Sequence, residues 1–186
     1  ILRDKIDLVR CYEHHYESVR RQHEHAETTL ATLPPGKLFL QYDFKQNVSL
    51  PLAPGEGGKW WYANARTQIT VFGAFVSWVD GDGRKRHKHY ALMTGCLEHT
   101  GCAAQLVLQH VLDDMLASRF NELIFWSDCG PHFRAYEFLA WASVTVPRRY
   151  DAVVSLIFFG EHRGKGRCDG FFGLLEAWLR SCAYNN

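Results

Sequence analysis

The sequence lacks a dominant charge, a long apolar run and paired cysteines, and each absence narrows the reading. Its 186 residues carry 21 Lys and Arg against 20 Asp and Glu, a formal net charge of +1. Autonomous DNA-binding domains are usually more basic, so the overall balance does not by itself point to nucleic acid. No apolar run reaches the ~20 residues that a bilayer-crossing helix needs. None of the six cysteines forms a C-x-x-C pair, and a chain this long and core-rich needs no disulfide framework, so the thiols read as reduced and the compartment as intracellular. No signal peptide is recognisable. The chain opens on Ile1 rather than Met, as an excised piece of a longer protein would. No internal repeat, low-complexity segment, helix-turn-helix or zinc finger is evident. His23/His25, His87/His89 and Cys96/His99/Cys102 match no compact zinc spacing, and they read as scattered surface and core residues.

What is present is a globular composition, 47% hydrophobic and 22% charged, of a size that fits one ordinary domain. Positive charge gathers in two runs, Arg84 to His89 and Arg163 to Arg167. An enzyme that holds cations against phosphate needs carboxylates as well, so near-neutrality is compatible with a nucleic-acid substrate.

Residues 1–30 repeat Ile6, Val9, Tyr12 or His15, Tyr16, Val19 and His23 near helical spacing, and Leu33-Pro34-Pro35-Gly36 ends that helix. Residues 1–36 therefore form a helical lead-in, and 37–186 the main domain. Lys37–Phe44 is a short β-prone stretch with Asp43 near its end. Residues 45–66, with Pro51, Pro54 and Trp60-Trp61, read as a long excursion. Its tryptophans are core or a stacking platform for unpaired bases, and core is the preferred reading. Gln68–Asp80 is a long strand, Gly81-Asp82-Gly83 a hairpin turn, and Lys85–Thr94 the returning strand. Thr100 opens a helix whose apolar stripe is Ala103, Leu106, Val107, His110, Val111 and Asp114 or Met115. Asn121–Trp126 is a buried strand leading into Ser127-Asp128. Pro131 marks a second helix start, with Phe133, Tyr136, Phe138 and Leu139 continuing it. Asp151–Phe159 is another buried strand. After Gly164-Lys165-Gly166 a closing helix, Asp169–Ala183, carries Phe172, Leu175, Trp178 and Leu179 on one face. The order β-β-β-α-β-α-β-α predicts an α/β fold with a mixed five-stranded sheet and helices on both faces.

Three acids then stand out. Asp43 and Asp128 end the first and fourth strands, and Asp169 starts the closing helix. Strand ends of such a sheet converge on one edge. Carboxylates crowded together raise each other's pKa, and bound cations relieve that repulsion. Two Mg²⁺ ions about 3.5–4 Å apart serve both ends of an in-line phosphodiester displacement, and Mg²⁺ prefers oxygen ligands. Asp43, placed between the others, is the candidate to bridge both ions. Each acid also has a plainer reading as a turn residue or cap, Asp169 above all as a helix N-cap.

Three motifs carry a family resemblance. Ser127-Asp128-Cys129-Gly130-Pro131-His132-Phe133 resembles the S-D-N-G-x-x-F segment of integrases and DDE transposases, with Cys129 in place of the usual Asn. Tyr42-Asp43-Phe44-Lys45-Gln46-Asn47 is similar to the first-strand motif of eukaryotic cut-and-paste transposases. Glu161-His162-Arg163-Gly164-Lys165-Gly166-Arg167-Cys168-Asp169-Gly170, with Gly173 beyond, resembles their H-G-K-G-x-x-D-G-x-x-G segment. The resemblance spans about residues 37–183. It implies an RNase H-like fold and a DNA transposase that cleaves at element ends and transfers the freed strand. It implies Mg²⁺ or Mn²⁺, as two ions, and catalysis by Asp43, Asp128 and Asp169. It also implies a homo-oligomeric assembly on element-end and target DNA, nuclear in a eukaryote. The third acid in many relatives is Glu, so Glu161 and, more weakly, Glu176 compete with Asp169. His162, Arg163, Lys165 and Arg167 form a basic, glycine-bearing loop read as a phosphate contact. His132, beside Asp128, either assists the site or caps the next helix. Another RNase H-like nuclease (a hybrid nuclease or junction resolvase) and a domesticated non-catalytic binding domain are the alternatives.

Overall fold

The computed structural model describes residues 2–50, 67–159 and 166–184. Helix α1 (Leu2–Ala31) precedes β1 (Lys37–Leu50), β2 (Thr67–Val79) and β3 (Lys85–Thr94). Helix α2 (Gly101–Asp114) leads through a 3₁₀ turn, Ala117–Arg119, to β4 (Glu122–Asp128). Helix α3 (Tyr136–Ala140), a π-helical stretch at Trp141–Thr145 and α4 (Val146–Tyr150) lead on to β5 (Val153–Phe159) and α5 (Arg167–Tyr184). The five strands form one mixed sheet in the order β3-β2-β1-β4-β5. The first three are antiparallel to one another, and β1, β4 and β5 run parallel. The predicted mixed α/β architecture is thus present. Among the described residues no helix is long and apolar enough to cross a membrane.

Alternation along β1 sorts the core into two layers. Leu38, Leu40 and Tyr42 join Phe72, Phe125 and the residues of α2, α3 and α4 on one face. Phe39, with Val71, Phe75, Ile124 and Trp126, meets Ala26 and Leu30 of α1 and Cys168 and Phe172 of α5 on the other.

Local signals placed several elements correctly. Thr100 caps α2, its hydroxyl accepting from the Ala103 amide at 3.2 Å. In the β2–β3 turn Asp80 Oδ1 accepts from the amides of Asp82 and Arg84, and Gly83 takes φ +74°. That backbone conformation suits glycine, which has no Cβ to strain.

Other expectations need correction. Strand β1 does not stop at Phe44. It continues to Leu50 through a bulge between Lys45 and Val48, pairing with β2 on both sides of it. Asp43 therefore lies within the strand, although beyond its pairing with β4, which ends at Gln41↔Trp126. The polar run after Phe44 hides the strand, because the β-prone apolar residues stop there and a bulge interrupts the strand's alternation. In α2 the inward residues are Ala104, Leu108, Val111 and Leu112, whereas Leu106 is 74% exposed and His110 is exposed. A helix with apolar residues on several sides does not announce which stripe meets the sheet. Pro131 and Phe133 lie in turns, and the helix starts at Tyr136. The closing helix starts at Arg167 rather than Asp169, and Trp178 is exposed. Strand β5 is a sheet edge of mostly intermediate burial, not a buried strand. In the lead-in, Ile6, Val9, Tyr12 and Tyr16 are exposed, while the later Val19, Ala26 and Leu30 are buried.

Candidate metal centre

Register brings the first two acids together. Parallel pairing of β1 with β4 runs from Lys37↔Glu122 to Gln41↔Trp126. Two residues further on, the same offset sets Asp43 beside Asp128, and period-two alternation points both toward the α1/α5 face. Asp128 Oδ1 accepts the Gly130 amide at 2.9 Å, which fixes the carboxylate at the start of the turn after β4. From that turn comes His132. One ligand atom each from Asp43, Asp128 and His132 lie within 4.8 Å of one another. Ligands on opposite sides of one cation stand about 4–5 Å apart, so the donor set fits a single ion.

The third acid arrives by a different route. On β2, Gly73 pairs opposite Asp43. A Cβ on Gly73 would lie 2.5 Å from the Phe172 ring, so the missing side chain lets α5 rest on the sheet at this point. Cys168 Sγ lies 3.3 Å from the Gln41 carbonyl, and Gln41 Oε1 accepts the Arg167 amide at 3.3 Å. A Cβ on Gly166 would fall 2.0 Å from Gln41 Nε2, so a side chain there would displace the Gln41 amide. Gln41 thus anchors the start of α5, a role the sequence reading missed. Its signal is a polar residue two positions before Asp43, on the same strand face. Asp169 itself is exposed at the third position of α5, and its Oδ2 accepts the Gly166 amide at 2.9 Å. That is the backward-reaching half of a capping box, with Gly166 as the cap residue. Asp169 is not in the close three-residue cluster, but it is near enough for its charge to act on Asp43.

Electrostatics follow from this crowding. Burial, then the charges of Asp128 and Asp169, push the Asp43 carboxyl up to about 7. Burial also raises the Cys168 thiol, with Asp43 and Asp169 adding to it. For His132 burial lowers the pKa, and the Asp128 charge opposes that only in part, so the imidazole is favoured neutral. Its ring is held edge-on to Phe44 and Phe133, at 4.9 and 4.1 Å between centroids. Nε2 is buried and has no hydrogen-bond partner among the described residues. His99 stacks on Phe44 at 4.5 Å, and its Nε2 contacts Asn47 Oδ1 at 2.9 Å.

The remaining candidates are spread differently. Glu176 pairs with Lys45 at 3.0 Å. Arg167 pairs with Glu27 of α1 at 2.8 Å and lies over the Phe75 ring. Glu161, His162, Arg163 and Lys165 lie outside the described residues, as do Trp60 and Trp61. In the other basic run, Arg86 pairs with Asp80, Lys88 with Asp114, and Lys85 Nζ caps the carbonyls of Leu30 and Ala31.

Residues 22–183 match a family described as a domain of unknown function, DUF8701. The chain belongs to that family. The matched span takes in the last third of α1, every strand, the acid cluster and nearly all of α5. No curated protein matches the chain. Membership assigns no activity, so the chemistry rests on the site.

Proposed function

We propose that this chain is the catalytic domain of a metal-dependent DNA transposase with an RNase H-like fold. The observation that carries the reading is the meeting of Asp43, Asp128 and His132 within 4.8 Å, at the point where β1 outruns its parallel partner. The strand order β3-β2-β1-β4-β5, with three antiparallel strands and then two parallel ones, supports the RNase H-like part. The motif resemblance around Asp43, Asp128 and Asp169 supports the transposase part.

Each residue has a task in this reading. Asp43 and Asp128 supply hard oxygen donors from one face of the sheet, and Asp43 sits between the other two acids. Asp169 brings a carboxylate from the first turn of α5, oriented by the Gly166 amide. Phe44 and Phe133, from the opposite face of β1, hold the His132 ring edge-on beside the carboxylates. Bound divalent ions would activate the attacking water or hydroxyl and neutralise the leaving oxygen. The reaction is hydrolysis at an element end, followed by attack of the freed 3′-hydroxyl on target DNA. The second step rests on the resemblance alone. Arg167 and the basic residues before it are assigned to the DNA backbone.

A substrate panel tests the reading. In Mn²⁺ the chain should nick duplex DNA and join a pre-cut 3′-hydroxyl end to a target, and Asp43→Asn or Asp128→Asn should abolish both. Cleavage of the RNA strand of a hybrid, or of a four-way junction, without strand joining would replace the transposase with another RNase H-like nuclease. Absence of cation binding even with DNA present would leave a non-catalytic binding domain.

A further inference from the structure

We propose that His132 is a direct metal ligand. Its Nε2 completes, with one carboxylate oxygen each from Asp43 and Asp128, a cation position that favours a transition ion such as Mn²⁺ over Mg²⁺. The inference deepens the metal-dependent reading above and rests on it.

Three observations carry it. The Nε2 atom is buried and has no hydrogen-bond partner among the described residues, although its neighbours are well placed to hold the ring still. An unmet buried ring nitrogen is uncommon in a folded protein and calls for an explanation. The alternative task for His132, capping the following helix, leaves Nε2 without a role, and that helix begins only at Tyr136. Second, His132 Nε2 and Asp128 Oδ1 border one small space. A Cβ on Gly130 would stand 2.9 Å from each of them. Glycine at 130 thus keeps open the gap between the two donor atoms. Third, Asp43 completes the set at a separation suited to one ion.

The donor set predicts the ion. Imidazole binds transition metals readily, whereas Mg²⁺ prefers oxygen and retains water. One nitrogen among oxygens shifts the preference toward Mn²⁺ without excluding Mg²⁺. His99, whose ring centroid lies 6.3 Å from that of His132, is turned to Asn47 and is not part of the set.

Electron spin-echo spectroscopy of Mn²⁺ bound to the full chain reads directly whether nitrogen is coordinated, and calorimetry compares Mn²⁺ with Mg²⁺. The wild type should show a coordinated nitrogen. His132→Gln should remove that signal and weaken Mn²⁺ about tenfold, while Mg²⁺ affinity changes less than about twofold. Circular dichroism confirms that the variant is folded, and the wild-type spectrum needs no variant. If Mn²⁺ binds through Asp43 and Asp128 without a nitrogen signal, His132 is not a ligand, and the carboxylate site stands. A nitrogen signal that survives in His132→Gln likewise overturns the proposal, since another histidine then supplies it. If the wild type binds no Mn²⁺ with or without DNA, both this proposal and the metal-dependent reading fall.

Discussion

The two faces of the sheet are built to different rules. Under α2, α3 and α4 the sheet presents Leu38, Leu40, Tyr42, Phe72 and Phe125, and the residues of β1 on this face up to Phe44 are all apolar or aromatic. Under α1 and α5 the apolar residues of β1 give way after Phe39 to Gln41, Asp43 and Lys45, and α5 approaches over two glycines. Close-packed apolar layers derive their stability from area removed from water. A buried carboxyl opposes folding once it ionises. One face therefore holds the strands in place, while the other holds a charge that the fold by itself disfavours.

The comparison breaks most visibly on the apolar face. Phe125→Ala should lower unfolding free energy by about 4 kcal/mol, as expected for a deleted core aromatic, measured by denaturant titration. The corresponding charge deletion on the other face should do the reverse. An Asp43 carboxyl moved from 3.8 to about 7 represents roughly 4 kcal/mol against ionisation in place. Asn keeps part of the polar burial, so Asp43→Asn should stabilise the cation-free protein at pH 8 by about 2 kcal/mol. The same variant should lose all stabilisation by Mn²⁺. A destabilised Asp43→Asn would show that the acid is structural.

The pH dependence sharpens the same point. Because folding raises the pKa of Asp43, its contribution is fully present below 3.8 and is lost as pH rises to about 7. With cations chelated, wild-type stability relative to Asp43→Asn should therefore fall across pH 4 to 7 and stay level above it. Using the difference between the two proteins removes His132, whose lowered pKa acts with the opposite slope below its ordinary value of 6.5. Added Mn²⁺ should abolish the fall.

Smaller effects test how α5 is seated. Gly73→Ala sets a Cβ 2.5 Å from the Phe172 ring. The ring can shift, so a loss of about 1 to 2 kcal/mol is expected, with weaker Mn²⁺ binding as Asp169 moves away. Arg167→Ala removes an exposed pair with Glu27 and should change stability by less than about 1 kcal/mol. If DNA affinity falls while stability holds, Arg167 serves the backbone contact rather than the fold.

Particular residues show why some of this was legible and some was not. Thr100, the Gly81–Gly83 turn and Asp128 at its strand end declare themselves through chemistry within a few positions. Asp43 was legible as an acid in a β-prone stretch, but not its position within the strand, because the bulge after Lys45 disguises the continuation to Leu50. Gln41 and Gly73 carry no local signal strong enough to find them, since their importance lies in what α5 brings against them. His132 was visible as a neighbour of Asp128, while its unmet Nε2 was not.

The order of strands and helices, the alternation that separates the two faces of β1, and the three acids with their motifs were decided by the amino-acid sequence, because each depends on residues close along the chain. The strand order, the register that carries Asp43 to Asp128, and the meeting of both with His132 were decided only by the tertiary structure. So was the choice of which stripe of α2 is buried. Those features depend on segments far apart in sequence settling against a shared core, and many residues must find their partners together before any one of them is placed.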